Sequence, residues 1–535
     1  MGRFRQPARG RALACLAVAL TFAISSPFAR AQSAKSDDAT ALAERIDGYL
    51  AAAQAKAGVK PTKPATDAEF LRRAAIDVTG RIPRLNSEMH KWLDDRSPAK
   101  RRELIDRLLD SAYYVEHSTN LWRHMLLPPG NNQQAQFLAN SLNPWLREQF
   151  RENVPYDVMV RELLTTPLAR VMQQGLIQGD QQPNMGGKPT PQAFYQINEF
   201  KPENIAASAS RLFLGVNLDC AQCHDHKFAP WKKKQFWQFA AFFSGVQPNG
   251  ENAKKRFIAI GGSDIEVEAR YLDGKVPKWQ DEVSTRQSLA NWMTAADNPY
   301  FARNAVNRLW ANFFGLGLID PVDEPNPDNP PSHPELLDEL TRAFIEHKFD
   351  VKFMIRALTS TKAYQLSSVA TEPGQDDARL FARMTVKGLT GEQLYDSLAE
   401  ATLLVERPAA MQQNQFFNLS ARQEFLNKFD ASNTKRTQHQ TSILQALSLM
   451  NGKVITDATS LDKGLLGMVA HFPGRNTSRK LEELYMSAVA RKPRQDELDR
   501  LVPYIDKGGP SGDPKKALAD VFWALLNSSE FIFNH

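Results

Sequence analysis

Apolar positions recur at helical spacing along most of the chain, and turn residues mark where that periodicity breaks. Asp67 to Val78 reads as a charged amphipathic helix ending at Gly80. Ser97 and Pro98 open another, with an N-cap residue followed by proline at the first helical position. In that helix Leu104, Leu108 and Leu109 share one side, while Arg101, Arg102 and Asp106 take solvated positions. Glu203 to Phe213 reads as a helix of small residues stopped by Gly215. Helical character resumes from Lys234 to Phe243, with Phe236, Phe239, Ala240 and Phe243 apolar. Cys220 therefore falls on a turn between two packed helices.

Three stretches interrupt the helical pattern. Val171 to Lys201 is rich in Gln, Gly, Asn and Pro, which predicts a long irregular excursion. Residues 247–284 carry short apolar alternations at Phe257 to Ile260 and Ile265 to Ala269, with a turn at Asp273-Gly274. Helical patterning returns at Arg286 and is broken again by the proline-rich run from Pro321 to Pro334. The chain is too long for one core. The pattern predicts a mainly α fold: two helical domains, residues 40–246 and 285–535, joined by a connector with a few short β-strands at 247–284.

Residues 1–31 read as a secretory signal, with Arg3, Arg5, Arg9 and Arg11 before an apolar run from Ala12 to Ile24 and a small-x-small site at Ala29-Arg30-Ala31. That run is too short to span a bilayer, and no later apolar stretch is long enough to do so. The expectation is a periplasmic or secreted protein without a transmembrane segment once the signal is removed. Five of the positive charges, Arg30 included, lie in the signal with no acidic residue, so the remainder carries about +1 of the formal +6. A nearly neutral chain offers no compositional reason to expect nucleic acid as a partner.

Cys15 belongs to the signal, which leaves one cysteine pair, in the run Cys220-Ala221-Gln222-Cys223-His224-Asp225-His226. This is the Cys-x-x-Cys-His pattern of covalent haem attachment. Two thiols two residues apart can add to the two vinyl groups of one porphyrin, and the adjacent imidazole then reaches the iron. On this reading Cys220, Cys223 and His224 bind haem c, with His224 as the metal ligand. An exported Cys-x-x-Cys also suits a disulfide, and both thiolates with His224 or His226 suit zinc, although the spacing of the histidines fits that poorly. Phe228, Trp231 and Trp237 are close enough in sequence to wall off a flat apolar group, ordinary core being their other reading. His226 is too near to reach the opposite face of a haem, whereas His117, His124, Met125 and Met185 are distant enough.

The run Phe70-Leu71-Arg72-Arg73 through Asp77-Val78-Thr79-Gly80-Arg81-Ile82-Pro83, then Pro155-Tyr156-Asp157, Arg161-Glu162-Leu163-Leu164 and Phe213 through His226, resembles the planctomycete-type cytochrome-like domain, domain of unknown function fifteen-forty-nine. Asn298 to Arg303, Val306-Asn307-Arg308-Leu309-Trp310, Asn329 to Leu337 and Trp523 to Phe531 resemble its companion, domain of unknown function fifteen-fifty-three. The resemblance implies an exported cytochrome-like protein, with an exported sulfatase-like protein or a redox partner beside it. Its cytochrome label rests on the same cysteine motif and adds nothing independent. Where the family tends to place an acidic residue before the proline after the motif, this chain has Ala229-Pro230, so no role is carried over for that carboxylate.

No phosphate loop, nucleophile elbow, zinc-protease signature or dinucleotide fingerprint is present. Asn307, Arg308, Asp320, Asp323, His333 and Glu335 form a polar group in proline-rich turns, suited to a ligand or metal. The structural alternative is that Ser332 caps the next helix, Glu335 favours its positive end and Arg308 pairs with a carboxylate. The first functional expectation is therefore electron transfer or another redox role through a c-type haem. The other is a non-redox protein that binds or assembles the cell envelope or a polysaccharide. If the two domains share a site, the Pro321 to Pro334 loop should pack against the cysteine turn, with His333 or Asp323 lining the same cleft as His224.

Overall fold

The helix Asp67–Thr79 starts where the Thr66 side chain accepts the Glu69 N–H at 3.2 Å, and it stops at Gly80 in the left-handed region, φ 72°. In the computed structural model, which describes residues 27–127, 133–168, 189–248, 250–324, 326, 328–403, 421–429, 450 and 452–535, this helix lies between two apolar cores. Phe70, Leu71, Ala74 and Val78 belong to the first core, and Ile76 belongs to the second together with Ile82. Ten consecutive residues, Phe70 to Thr79, are buried. From Phe70 onward the expected amphipathic helix is thus buried on every side, with Arg72, Arg73 and Asp77 inside, while Asp67 and Glu69 in its first turn are only partly buried.

Those charges are tolerated because each has partners. Arg72 donates to the carbonyls of Ala488 at 3.0 Å and Phe531 at 2.7 Å. Arg73 donates to His535 O at 3.1 Å, Leu366 O at 2.9 Å, Tyr364 O and the Glu69 carboxylate. The Asp77 carboxylate accepts from Lys387 Nζ at 2.7 Å, Tyr364 Oη at 2.9 Å and Asn534 Nδ2 at 2.8 Å. Lys387 is equally enclosed and donates also to Phe313 O at 2.7 Å and Asn312 O at 3.2 Å.

The fold is mainly helical and in two parts, with strands confined to short antiparallel pairs. The expected connector strands are Phe257–Ala259 and Glu266–Glu268, with Ile258 opposite Val267. Val267, Ala269 and Leu272 tuck this hairpin onto the first core, which continues through the helices Thr285–Met293, Phe301–Phe314, Pro334–Glu346 and Val351–Ser360. The connector therefore does not divide the cores. Apart from Met486 and Ala490 in the first core and Ile76 and Ile82 in the second, the change from first to second falls between Met384 and Leu389, where Lys387–Gly388 pairs with Phe533–Asn534 and draws the C-terminal residues into the junction.

Several local expectations shift. The helix predicted from Ser97 runs Lys100–Leu109, with Ser97 Oγ accepting from Ala99 N–H at 3.2 Å. Arg101 and Asp106 are not free in solvent, because they bond Asp67 at 2.8 Å and Arg356 at 2.6 Å across helix contacts. Most of the expected signal and most of the long loop, with Met185, lie outside the described residues. Among the described residues no helix is long and apolar enough to cross a membrane.

A second polar seam crosses the junction. Glu392 meets Arg123, His124 Nε2 at 3.2 Å and Arg422 at 3.9 Å. Burial pushes its carboxyl up, but the His124 hydrogen bond and the Arg123 charge outweigh that and hold it at about 2. Asp396 is pushed the other way, above its usual range, by burial that Arg422 and Arg81 only partly offset.

Asp77→Asn or Lys387→Met alone should cost about 3–5 kcal/mol, because each strands a buried group. The double variant should cost much less than the sum in urea unfolding; additive losses, or single losses below about 1 kcal/mol, would contradict the coupling. For Glu392 the folded value lies below the ordinary one, so its contribution is complete above about pH 4.5 and is lost as pH falls towards about 2. Glu392→Gln should remove a component on the order of 3 kcal/mol from the acid limb of the stability curve, and an unaltered limb would refute this.

Candidate functional site

The cysteine turn is built by what precedes it. Pro202 at the first position starts the helix Pro202–Ala209, which widens into a π-helical turn at Ser210–Leu214 and stops at Gly215, φ 67°. A side chain at Gly215 would meet Asn304 Oδ1 at 2.6 Å, so both the backbone and the space require glycine. Leu218 and Ala221, both at 0 % exposure, anchor the following 3-10 turn Asp219–Gln222. With Ala221 pointing inward, Cys220 and Cys223 are left facing solvent.

The turn is closed on both flanks. Asp219 N–H donates to Asn217 Oδ1 at 3.1 Å, and Trp237 Nε1 donates to Gln222 O at 3.1 Å. Beyond the motif His226 N–H donates to Trp231 O at 2.8 Å, and Asp225 accepts from Lys233 N–H at 2.9 Å and pairs with Lys232 at 3.2 Å. Those donors hold the Asp225 carboxyl below its usual range.

Both thiols are free, and the His224 ring is exposed. His224 Nδ1 lies 2.8 Å from Asp225 O. A carbonyl can only accept, so Nδ1 carries the proton and the Nε2 lone pair remains for a ligand bond. Among the described residues no three His, Cys, Asp or Glu side chains converge as a zinc site requires. The three aromatics part company: Trp237 is core, Trp231 is half-buried against Tyr300 at 6.4 Å, and Phe228 is 76 % exposed. His117 packs against Gly80 and His124 against Glu392, both at the junction, while Met125 lies half-buried on the helix Ala112–Leu126.

The second half of the chain holds this turn from below. On the helix Phe301–Phe314, Asn304 Nδ2 donates to Leu212 O at 2.8 Å and Arg308 Nη2 to Arg211 O at 2.7 Å, while Arg308 Nε bonds Asn304 Oδ1 at 3.1 Å. Asn307 faces the other way and clamps the Ile319 backbone at 2.9 and 3.0 Å. The first turn of the Pro321 to Pro334 loop reaches the cysteine segment, since Asn217 N–H donates to Asp323 O at 3.2 Å. The far end of that loop turns inward. His333, 7 % exposed, packs on Phe381 at 5.7 Å with no partner for Nε2 among the described residues, and burial lowers its pKa. Ser332 is not the helix cap, because His333 occupies that position without a side-chain cap, and Ser332 bonds the His333 ring at 3.1 Å instead. Arg308 likewise bonds carbonyl and amide oxygens, with no carboxylate within 4.0 Å among the described residues. Asn304 was not singled out by the sequence; its spacing four residues before Arg308, on the same helix face, was the available signal.

A reduced chain beginning at Gln32, made without haem-attachment machinery, should take up a thiol reagent at both Cys220 and Cys223 without denaturant. Uptake only after unfolding would show that the turn is not open.

PSCyt2, described as a protein of unknown function (DUF1549), matches residues 45–248, and PSD1, described as a protein of unknown function (DUF1553), matches residues 285–505. No curated protein and no solved structure matches the chain. The glycine-stopped run with its cysteine turn lies in the first matched segment, and the helix that supports it lies in the second. The chain belongs to the family pair in which a PSCyt2 domain is followed by a PSD1 domain.

Proposed function

We propose that this is an exported protein that carries one c-type haem on Cys220 and Cys223, with His224 as the iron ligand, and that it serves in electron transfer or another redox step. The observation that carries this reading is the turn itself: two free, exposed thiols beside an imidazole whose Nδ1 is already committed to the Asp225 carbonyl. Covalent attachment of a haem asks for two thiols and one imidazole, whereas a structural zinc asks for four converging ligands, and among the described residues no group of three is brought together. The donor set therefore fits the group, and Phe228, exposed a few residues beyond the motif, is apolar surface close to it in sequence. When bound, the haem supplies one-electron chemistry.

The residues of the chain have separate tasks in this proposal. Ala221 and Leu218 fix the turn, Asp225 O sets the tautomer and direction of His224, and Trp237 ties Gln222 to the helix Lys233–Ala240. The partner would be an exported redox protein that approaches the open face of the turn.

The chain should be made in a host with haem-attachment machinery and read by intact mass and absorbance. The expected product has a mass gain of one haem and a Soret band that survives acid–acetone extraction, both lost or strongly reduced in Cys220→Ser and Cys223→Ser. A colourless product of unchanged mass would refute the reading. A loss of two hydrogens would identify a disulfide, and a dissociable metal ion would identify zinc.

A further inference from the structure

Arg308 is a half-buried cation with no anion in contact among the described residues. A guanidinium offers five N–H donors, and among the described residues Arg308 uses only Nε, to Asn304 Oδ1, and Nη2, to Arg211 O. Asp323 attracts it, but from beyond ion-pair distance. Taking a charge partly out of water without a contacting counter-charge is costly, and the N–H groups that Arg308 leaves unused are donors open to an anionic ligand. The location narrows what that is. Arg308 lies under the backbone of Arg211, whose side chain pairs at 3.4 Å with Asp219, the residue before Cys220. Asp323, the carboxylate that attracts it, has its carbonyl bonded to Asn217, at the start of the cysteine turn.

We propose that Arg308 receives a propionate carboxylate of the haem held by Cys220 and Cys223; this rests on the haem reading above. A planar guanidinium with a free edge matches a carboxylate in two parallel hydrogen bonds, which an ammonium cannot reproduce. The PSD1 segment would then complete the haem site of the PSCyt2 segment: its Asn304 and Arg308 hold the carbonyls before the turn, and the same Arg308 neutralises the cofactor's acid edge. This gives the paired domains a shared chemical task.

The test uses full-length, covalently haem-loaded protein, with the midpoint potential measured as a function of pH. Arg308→Gln should lower the potential, because a positive charge near the iron is lost, and should move the propionate-linked inflection to higher pH. Arg308→Lys should restore the charge but only part of the inflection. Lys234→Gln, which removes an exposed positive charge close to the turn in sequence, should leave the inflection in place. If Arg308→Gln does not fold, the lysine variant decides, with an inflection identical to wild type counting against the proposal. Loaded Arg308→Gln with an unmoved inflection would overturn the inference while leaving the haem reading intact, as would an equal shift in Lys234→Gln. A wild-type chain that takes up no haem would overturn both.

Discussion

A carboxylate and an ammonium without solvent exposure, Asp77 and Lys387, join two apolar cores to one helix, and much of the remaining structure is arranged to make that burial tolerable. Desolvating two ions is expensive, and their attraction offsets it only if the other lone pairs and protons are also matched. Here Tyr364 and Asn534 complete the carboxylate, and the Phe313 and Asn312 carbonyls complete the ammonium. The same helix sends Arg72 and Arg73 to carbonyls at residues 488, 531, 535, 364 and 366. Each contact fixes a register, so a helix near the start of the chain sets the position of its last residues.

The same logic recurs at the cysteine turn, with a different outcome. There too the second half of the chain supplies polar side chains to backbone carbonyls of the first, Asn304 to Leu212 and Arg308 to Arg211. The run from Ser210 to Gly215 needs this help, because a π-helical turn ending in a left-handed glycine leaves carbonyls without regular helical partners. At Asp77 both charges are hydrogen-bonded on every side and closed off from solvent. At Arg308 the guanidinium is only partly used, beside a turn whose thiols and imidazole face outward. A saturated polar cluster serves structure, and an unsaturated one beside reactive groups leaves capacity for a ligand.

Most of the elements were legible from local signals. Gly80 and Gly215 stop helices where the periodicity ends, the connector forms its hairpin, and Cys220 sits on a turn between two packed helices. The burial of Arg72, Arg73 and Asp77 was not legible. A run of charges on a helix reads as a solvated face unless the partners are known, and these partners lie about 290 to 460 residues away in the chain. Of the three aromatics near the cysteines, core was the reading that Trp237 meets, but closeness in sequence could not say that Trp231 is only half-buried and Phe228 exposed.

The sequence by itself determined the helical class and the turn that carries Cys220, Cys223 and His224, because periodicity and glycine conformations are properties of neighbouring residues. Tertiary structure decided which charges are buried, that the apolar cores divide near residue 387 and not at the connector, and that the helix Phe301–Phe314 supports the cysteine turn. These are matters of which distant groups meet. A buried ion or an unsupported carbonyl is stable only beside a particular partner, and no pattern within a short window of sequence specifies where in space that partner will be.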